Sequence, residues 1–142
     1  MKNITLIIPA KYEKEYLPSV LLELKKFPFN IIVIREPTDH KIIDSNKNFD
    51  CTIIHQTNKG YGDALILGIT SVKTEYFYIF NADGSFNPIE ISGMYSSLKD
   101  KEEHVIFGSR NKKNATSEDD TLVTKVGNFI FQNLEKFYLS FQ

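Results

Sequence analysis

Asp83 is the residue whose type and position most directly suggest chemistry. It follows an apolar run, residues 76–80, and stands in the sequence Asn81-Ala82-Asp83-Gly84. Hard cations such as Mg²⁺ or Mn²⁺ prefer oxygen ligands and usually bind substrate phosphates as well. Asn, Asp and Gly are also turn formers, and taken alone the segment is more simply explained as a turn. A metal site here is therefore a hypothesis that needs support from other segments.

A glycine-opened helix follows another apolar run. Gly60 and Gly62 come after residues 51–54 and begin a predicted helix over residues 60–72. Glycine lets the backbone approach a ligand, and the amides at a helix N-terminus favour phosphate. The spacing lacks the third glycine of the dinucleotide fingerprint, and Gly-Lys-Ser/Thr of a P-loop is absent. A glycine-rich helix start that packs through Gly68 is the alternative, and it stays open.

Two charged residues stand at other predicted strand ends. Glu36 follows residues 31–34, and a carboxylate there can accept hydrogen bonds from a ribose or a base edge. Arg110 follows residues 105–107 and provides a fixed cation suited to a diphosphate. The alternatives are a solvated loop acid and a surface arginine.

The elements that must position these residues alternate along the chain. Apolar runs predict five strands, separated by helical patterns, at residues 4–8, 31–34, 51–54, 76–80 and 105–107. Strands that are apolar throughout indicate a parallel sheet covered on both faces. Right-handed crossovers then predict a mostly parallel, doubly wound α/β sheet of the Rossmann-like kind. Ligands bind such sheets beyond the carboxyl ends of the strands, where the polar loops converge.

Composition restricts the function classes. The 142 residues carry a formal net charge of −1, which gives no field to attract nucleic acid. The single cysteine, Cys51, excludes an internal disulfide and fits the cytoplasm. The apolar residues 4–10 are too few for a membrane span. We therefore expect one cytoplasmic domain over residues 1–142 that can still work at the inner face of a membrane.

The C-terminal part has a pattern of its own. Residues 111–121 are polar and predict a loop, and apolar residues then recur at helical spacing from Leu122 to Phe141. The favoured interpretation of this amphipathic helix is core packing or a homo-oligomer contact. Contact with lipid is the alternative.

Taken in order, the strand-end segments resemble glycosyltransferase family 2, which has a nucleotide-diphospho-sugar transferase fold. The similarity is greatest to its dolichyl-phosphate mannose synthase-like and polyprenyl-phosphate glycosyltransferase branch. The segments that carry it are Ile7-Ile8-Pro9-Ala10, residues 58–65, Asn81-Ala82-Asp83-Gly84 and Gly108-Ser109-Arg110. The resemblance implies a donor-binding part over residues 1–110. Residues 111–142 then begin an acceptor side that is largely missing from this chain.

The resemblance also implies an activity and a set of site residues. The activity is transfer of a hexose from GDP-mannose or a UDP-sugar to a polyprenyl phosphate or glycan acceptor, assisted by Mg²⁺ or Mn²⁺. It assigns Asp83 and Arg110 to catalysis, and Asp83, Asn81 and Ser85 to the metal. The expected nucleotide-sugar-binding residues are Pro9, Ala10, Glu13, Glu36, Asn58, Gly60, Tyr61, Gly62, Asn81, Ala82 and Asp83.

This chain departs from the family pattern near the expected metal. Asn81 stands where the family has the first aspartate of its Asp-x-Asp motif, and Ser85 where mannose synthases often have glutamine. Both changes reduce the negative charge opposite a cation. A catalytically weak or inactive donor-binding paralogue or fragment is therefore the alternative. A sugar nucleotidyltransferase is less favoured, because residues 9–13 contain no glycine.

Overall fold

The computed structural model describes residues 3–11, 16–36, 49–83, 85–98 and 105–108. The chain divides into two compact units, Met1–Glu102 and Glu103–Gln142. The helices and strands given below belong to the first unit. Glu13, Arg110 and the expected C-terminal helix lie outside the described residues, and a single domain over residues 1–142 stays a prediction.

The first unit contains a parallel sheet with helices between its strands. The strands are β1 (Ile4–Ala10), β2 (Asn30–Arg35), β3 (Thr52–His55) and β4 (Tyr76–Ile79), and the helices are α1 (Leu17–Leu24), α2 (Tyr61–Thr70) and α3 (Pro88–Leu98). The strand order is β3-β2-β1-β4, and every described pair is parallel. The predicted parallel α/β fold is confirmed.

Strand β1 separates two apolar layers, because successive side chains of a strand point to opposite faces. Leu6 and Ile8 belong to one core cluster, to which α1 contributes Leu21 and α3 contributes Ile91. Ile7 belongs to the other cluster, together with Ala64 of α2. Helices therefore cover both faces of the sheet, as the continuous apolar runs predict.

The helix starts follow local sequence. Pro18 lies in the first turn of α1, where its missing N–H costs no helical hydrogen bond. Asn87 caps α3, since its Oδ1 accepts a hydrogen bond from the Ile89 amide at 3.0 Å. The buried residues of α1 recur at helical spacing and hold it on the sheet: Leu17, Val20, Leu21 and Leu24.

The sequence predicts that the first strand ends at residue 8, just before Pro9. That end is wrong for the pairing of β1 with β2 and agrees with its pairing with β4, whose register ends at Ile7. Pairing with β2 continues through Pro9 and Ala10. The Ile7 carbonyl accepts a hydrogen bond from the Phe80 backbone N–H at 2.9 Å, so the backbone N–H and C=O groups of the odd-numbered β1 residues point towards β4. Pro9 faces the same side and has no N–H to donate, which ends the ladder with β4 but leaves the ladder with β2 intact.

The fifth strand predicted at residues 105–107 is not formed. Residues 105–108 are described and have no regular secondary structure. Val105 and Phe107 are 63% and 87% exposed. These residues belong to the second unit, and the apolar run there does not form the strand that it predicts. A buried parallel strand needs cover on both faces, which Val105 and Phe107 lack.

The substitution Gly68→Ala should lower the free energy of unfolding. The added Cβ would clash with Ile7 Cγ2 and lie 3.5 Å from Ile34 Cγ1. The β-branched Ile7 side chain cannot easily turn away. Overpacking costs about 1–3 kcal/mol, which exceeds the gain of about 0.5–1 kcal/mol for alanine over glycine within a helix.

Gly93→Ala is the matched control, because a Cβ at Gly93 of α3 meets nothing within 4 Å. This variant should be equally stable or slightly more stable than the wild type, as measured by urea unfolding. Equal unfolding free energies for the two variants would contradict the tight packing of α2 on β1.

Candidate functional site

A cavity of about 340 Å³ lies beyond the carboxyl ends of the strands. It is lined by Pro9, Ala10, Lys11, Glu36, Gln56, Gly60, Tyr61, Ala64, Asn81, Ala82 and Asp83. Pro9 and Ala10 are the last residues of β1, and the others come from the loops after β1, β2, β3 and β4 and from the start of α2. Four of the five loops that the sequence predicts to converge therefore share one cavity.

The first and second loops meet through an ion pair. Lys11 Nζ lies 2.8 Å from Glu36 Oε1, and the side chains are 56% and 6% exposed respectively. Burying a carboxylate is costly unless it is paired, and Lys11 supplies that partner. Glu36 is thus a buried acid in the cavity wall, and its interpretation as a solvated loop acid is wrong. Arg35, directly before it, is fully buried and is not among the lining residues.

The third loop is fixed by side-chain amides. Gln56 Nε2 donates hydrogen bonds to the Gly60 carbonyl at 2.8 Å and to Asp63 Oδ2 at 3.3 Å. Asn58 Nδ2 donates to Asp63 Oδ1 at 3.0 Å. Gly60 has a φ of +116°, a backbone conformation that residues with a side chain rarely adopt, which explains why glycine stands at this position.

These hydrogen bonds also act on the Asp63 carboxyl. The bond from Asn58, and next the bond from Gln56, stabilise the carboxylate and lower the pKa of Asp63 below its ordinary value. The folded state therefore gains stability from this group at pH values above the ordinary aspartate pKa. That gain is lost as the pH falls through the lower, folded value.

The fourth loop forms a turn and also lines the cavity. Asp83 Oδ1 accepts a hydrogen bond from the Ser85 amide at 2.9 Å, so the turn interpretation of this segment is correct. Asp83 also lines the cavity with Asn81, on either side of Ala82, which is 1% exposed. The ring of Phe86 packs 5.6 Å from that of Phe80 below the loop. The buried Ala82 and these rings hold both polar side chains at the cavity rim.

The donor set near Asp83 fits one mode of cation binding. Among the described residues, no group of three or more His, Cys, Asp or Glu side chains is arranged to hold a metal ion. Mg²⁺, however, is usually bound by one or two carboxylates together with substrate phosphates. Asp83 with the Asn81 amide oxygen suits that mode, in which the substrate supplies further ligands.

The structure brings together most of the predicted site residues. Those that line the cavity are Pro9, Ala10, Glu36, Gly60, Tyr61, Asn81, Ala82 and Asp83. Asn58, Gly62 and Ser85 are exposed and are not among the lining residues. Glu13 and Arg110 lie outside the described residues.

Sequence reasoning missed three lining residues, Lys11, Gln56 and Ala64. Gln56 directly follows the last residue of β3, as Glu36 follows β2, so the same strand-end rule could have identified it. Lys11 directly follows Ala10, the last residue of β1. Ala64 looked like an ordinary apolar position of the helix, and no signal in its surroundings marks it.

A parallel α/β sheet with a cavity beyond the carboxyl ends of its strands is the arrangement in which open α/β proteins bind nucleotides and other ligands. Residues 5–141 match the sequence profile described as Glycosyl transferase family 2. The chain belongs to this family, as its motifs indicate. Membership of the dolichyl-phosphate branch stays a prediction.

Two curated relatives are similar over most of this chain. One is an uncharacterized protein of Methanocaldococcus jannaschii, 27% identical over 89% of this chain and 54% of that protein. The other is the UDP-N-acetylglucosamine–dolichyl-phosphate N-acetylglucosaminyltransferase of Methanococcus voltae, 28% identical over 89% of this chain and 59% of that enzyme. The chain therefore spans little more than half the length of these relatives.

Solved structures that match part of this chain include glucosyl-3-phosphoglycerate synthase from Mycobacterium tuberculosis. Its complex with UDP has a TM-score of 0.49 and 15% identity, over 58% of this chain and 34% of that one. Its complex with Mn²⁺, UDP and phosphoglyceric acid has a TM-score of 0.49 and 14% identity, over 57% and 33%.

None of the helices in the described part of the chain is long and apolar enough to cross a membrane.

The substitution Asn58→Ala should raise the pKa of Asp63 towards its ordinary value, because it removes the first of the two amide donors. The pKa is measured by following the Asp63 carboxyl carbon by NMR through an acid titration. Thr57→Ala changes an exposed neighbour that is not among the hydrogen-bond partners of Asp63, and it should leave the Asp63 midpoint unchanged. An unchanged Asp63 midpoint would show that the Asn58 contact is absent in solution.

Proposed function

We propose that the cavity binds the nucleoside diphosphate of a nucleotide-sugar donor. The observation that carries the proposal is the convergence of four strand-end loops on one cavity in a chain of this family. The cavity offers a buried carboxylate, Glu36, and a second carboxylate, Asp83, from different loops. A nucleotide sugar has hydroxyl and N–H groups on its nucleoside and phosphates beyond it. Two carboxylates on different loops match this arrangement.

Each end of the cavity has its own proposed role. Glu36, held by Lys11, would accept hydrogen bonds from the ribose or the base. Gly60 and Tyr61 would form the wall beside the donor, where the absence of a side chain at Gly60 leaves room. Asp83 and Asn81 would hold a divalent cation against the diphosphate. When bound, such a cation neutralises negative charge on the leaving group.

The whole reaction that we propose is hexose transfer to a polyprenyl phosphate at a membrane surface. The name of the Methanococcus voltae relative, which acts on dolichyl phosphate, supports this acceptor class. A phosphate acceptor is already ionised and needs no general base to activate it. GDP-mannose and UDP-sugars both remain in the proposal as donors, and Arg110 keeps its proposed role beside the diphosphate.

One observation favours the second candidate, a catalytically weak or inactive donor-binding protein. Among the described residues, two carboxylates line the cavity, and Glu36 is paired with Lys11. Among the lining residues from the loop after β4, Asp83 is then the one carboxylate, and the other polar side chain, Asn81, is a neutral amide. A neutral ligand binds a cation more weakly, which would reduce electrostatic stabilisation of the leaving group.

Asp83→Ala should remove the dependence of nucleotide binding on metal. Calorimetric titrations of UDP and GDP, each with and without Mn²⁺, measure this directly. Losing an interaction with a charged group costs about 1.5–3 kcal/mol, so affinity in Mn²⁺ should fall about ten- to hundredfold. Asp50→Ala makes the same chemical change before β3, at the opposite end of the strands, and should bind like the wild type.

If neither nucleotide binds the wild-type chain, the donor-site proposal fails. If both bind with the same affinity in Asp83→Ala and in the absence of Mn²⁺, the metal role fails and a metal-free site remains. Labelled GDP-mannose and UDP-N-acetylglucosamine with a polyprenyl phosphate then separate the two candidates. Transfer supports the enzyme, and binding without transfer by this chain supports the donor-binding protein.

A further inference from the structure

Gln56 is a buried polar residue between two segments of the cavity wall. It is 5% exposed, and its backbone N–H donates a hydrogen bond to the Arg35 carbonyl of the neighbouring strand at 2.8 Å. Its side-chain nitrogen donates to the Gly60 carbonyl and to the Asp63 carboxylate. Its backbone is thus fixed to the sheet, while its side chain is fixed to the loop that begins α2.

Asp63 is held from two directions. Gln56 binds one carboxylate oxygen and Asn58 binds the other. Both donors precede Gly60 in the chain and Asp63 follows it, so the three side chains bridge the turn on which Gly60 lies. A carboxylate that accepts a hydrogen bond on each oxygen loses rotational freedom, and so do both of its donors.

The Gly60–Tyr61 peptide is the part of the wall that this bridge controls. The Gly60 carbonyl accepts hydrogen bonds from Gln56 Nε2 at 2.8 Å and from the Ala64 amide at 3.2 Å. Because a trans peptide is planar, fixing the carbonyl also fixes the direction of the Tyr61 N–H. Glycine itself gives no such restraint, since it occupies many backbone conformations with similar ease. Gly60 and Tyr61 both line the cavity, whereas Asn58 and Asp63 do not.

We propose that Gln56, Asn58 and Asp63 form an amide–carboxylate clamp that positions the Gly60–Tyr61 wall for the nucleoside diphosphate. The proposal rests on the proposed function, since it assumes that the nucleotide binds in this cavity. Asn58 and Asp63 are positioning residues: they act through the Gly60–Tyr61 peptide. Without the clamp, the peptide must be ordered during binding, and that entropy cost reduces affinity.

The clamp can be tested by exchanging its partners. In Asp63→Asn, the charged acceptor is lost: the Asn58 amide then faces another N–H donor, or turns over and makes a weaker hydrogen bond between neutral groups. In Asn58→Asp, two carboxylates face each other. In the double variant, the new amide at position 63 donates to the new carboxylate at position 58 and still accepts from Gln56, so both contacts and the net charge return. We expect nucleotide affinity to fall about tenfold in each single variant, which is about 1.4 kcal/mol, and to recover in the double variant.

The measurements are the Kd for UDP and GDP, the thermal midpoint, and the Tyr61 amide signal in ¹⁵N NMR. Titrations are made well below the midpoint of every variant, so that each binds as a folded protein. A purely structural role would lower the midpoint without changing Kd in the folded state. A positioning role changes Kd and broadens the Tyr61 amide, and the double variant reverses both. Asp50→Asn is the matched control and should behave like the wild type.

The two proposals fail in different ways. If the wild type binds neither nucleotide, the proposed function fails, and the clamp as a binding device fails with it. If the wild type binds and the single variants bind equally well, only the clamp is refuted. If the single variants lose affinity and the double variant does not recover it, the loss does not come from these contacts and the clamp is again refuted.

Discussion

The parallel pairing of β1 with β2 on one side and β4 on the other is the constraint on which the rest of the structure depends. Ile7 is fully buried at the centre of this pairing. A slip of one residue would exchange the two faces of β1 and expose one apolar layer, so the register is strongly specified. With the register fixed, Ala10 lies beside Arg35, and Arg35 beside His55. The loops that follow these strands therefore begin side by side.

The cavity is built from polar groups that the core holds in place. Glu36 and Gln56 are both buried. Glu36 pairs with Lys11 of another loop, and the Gln56 side chain donates to the Gly60 carbonyl of its own loop. Asn81 and Asp83 are held differently, through the buried Ala82 between them. Buried polar groups are costly without partners, so these contacts restrict each loop to few arrangements. A binding site whose loops are already restricted loses little entropy when the ligand binds, so its affinity is not reduced by that cost.

Much of the fold follows from sequence because it depends on periodicity, whereas the contacts of the site depend on which loops meet. The apolar runs predict β1 to β4 within one or two residues, and the glycine-opened helix agrees with α2. The ion pair of Lys11 with Glu36 joins residues distant in the chain, and no local pattern reports it. Pro9 stops one ladder only, a distinction that needs the neighbours of β1. Residues 105–107 show that an apolar run alone does not ensure burial.

The most direct test of the account is to locate the bound nucleotide by ¹⁵N NMR. The structure offers an internal comparison, because a second cavity of about 610 Å³ lies at the amino ends of the strands and is lined in part by Ser71 and Thr74. Titration with UDP and the diamagnetic cation Mg²⁺ should shift the amide signals of Ala10, Gln56 and Ala82 and leave those of Ser71 and Thr74 unchanged. Shifts confined to the amino-end cavity, or no shifts at saturating UDP, would contradict a nucleotide site at the carboxyl ends of the strands.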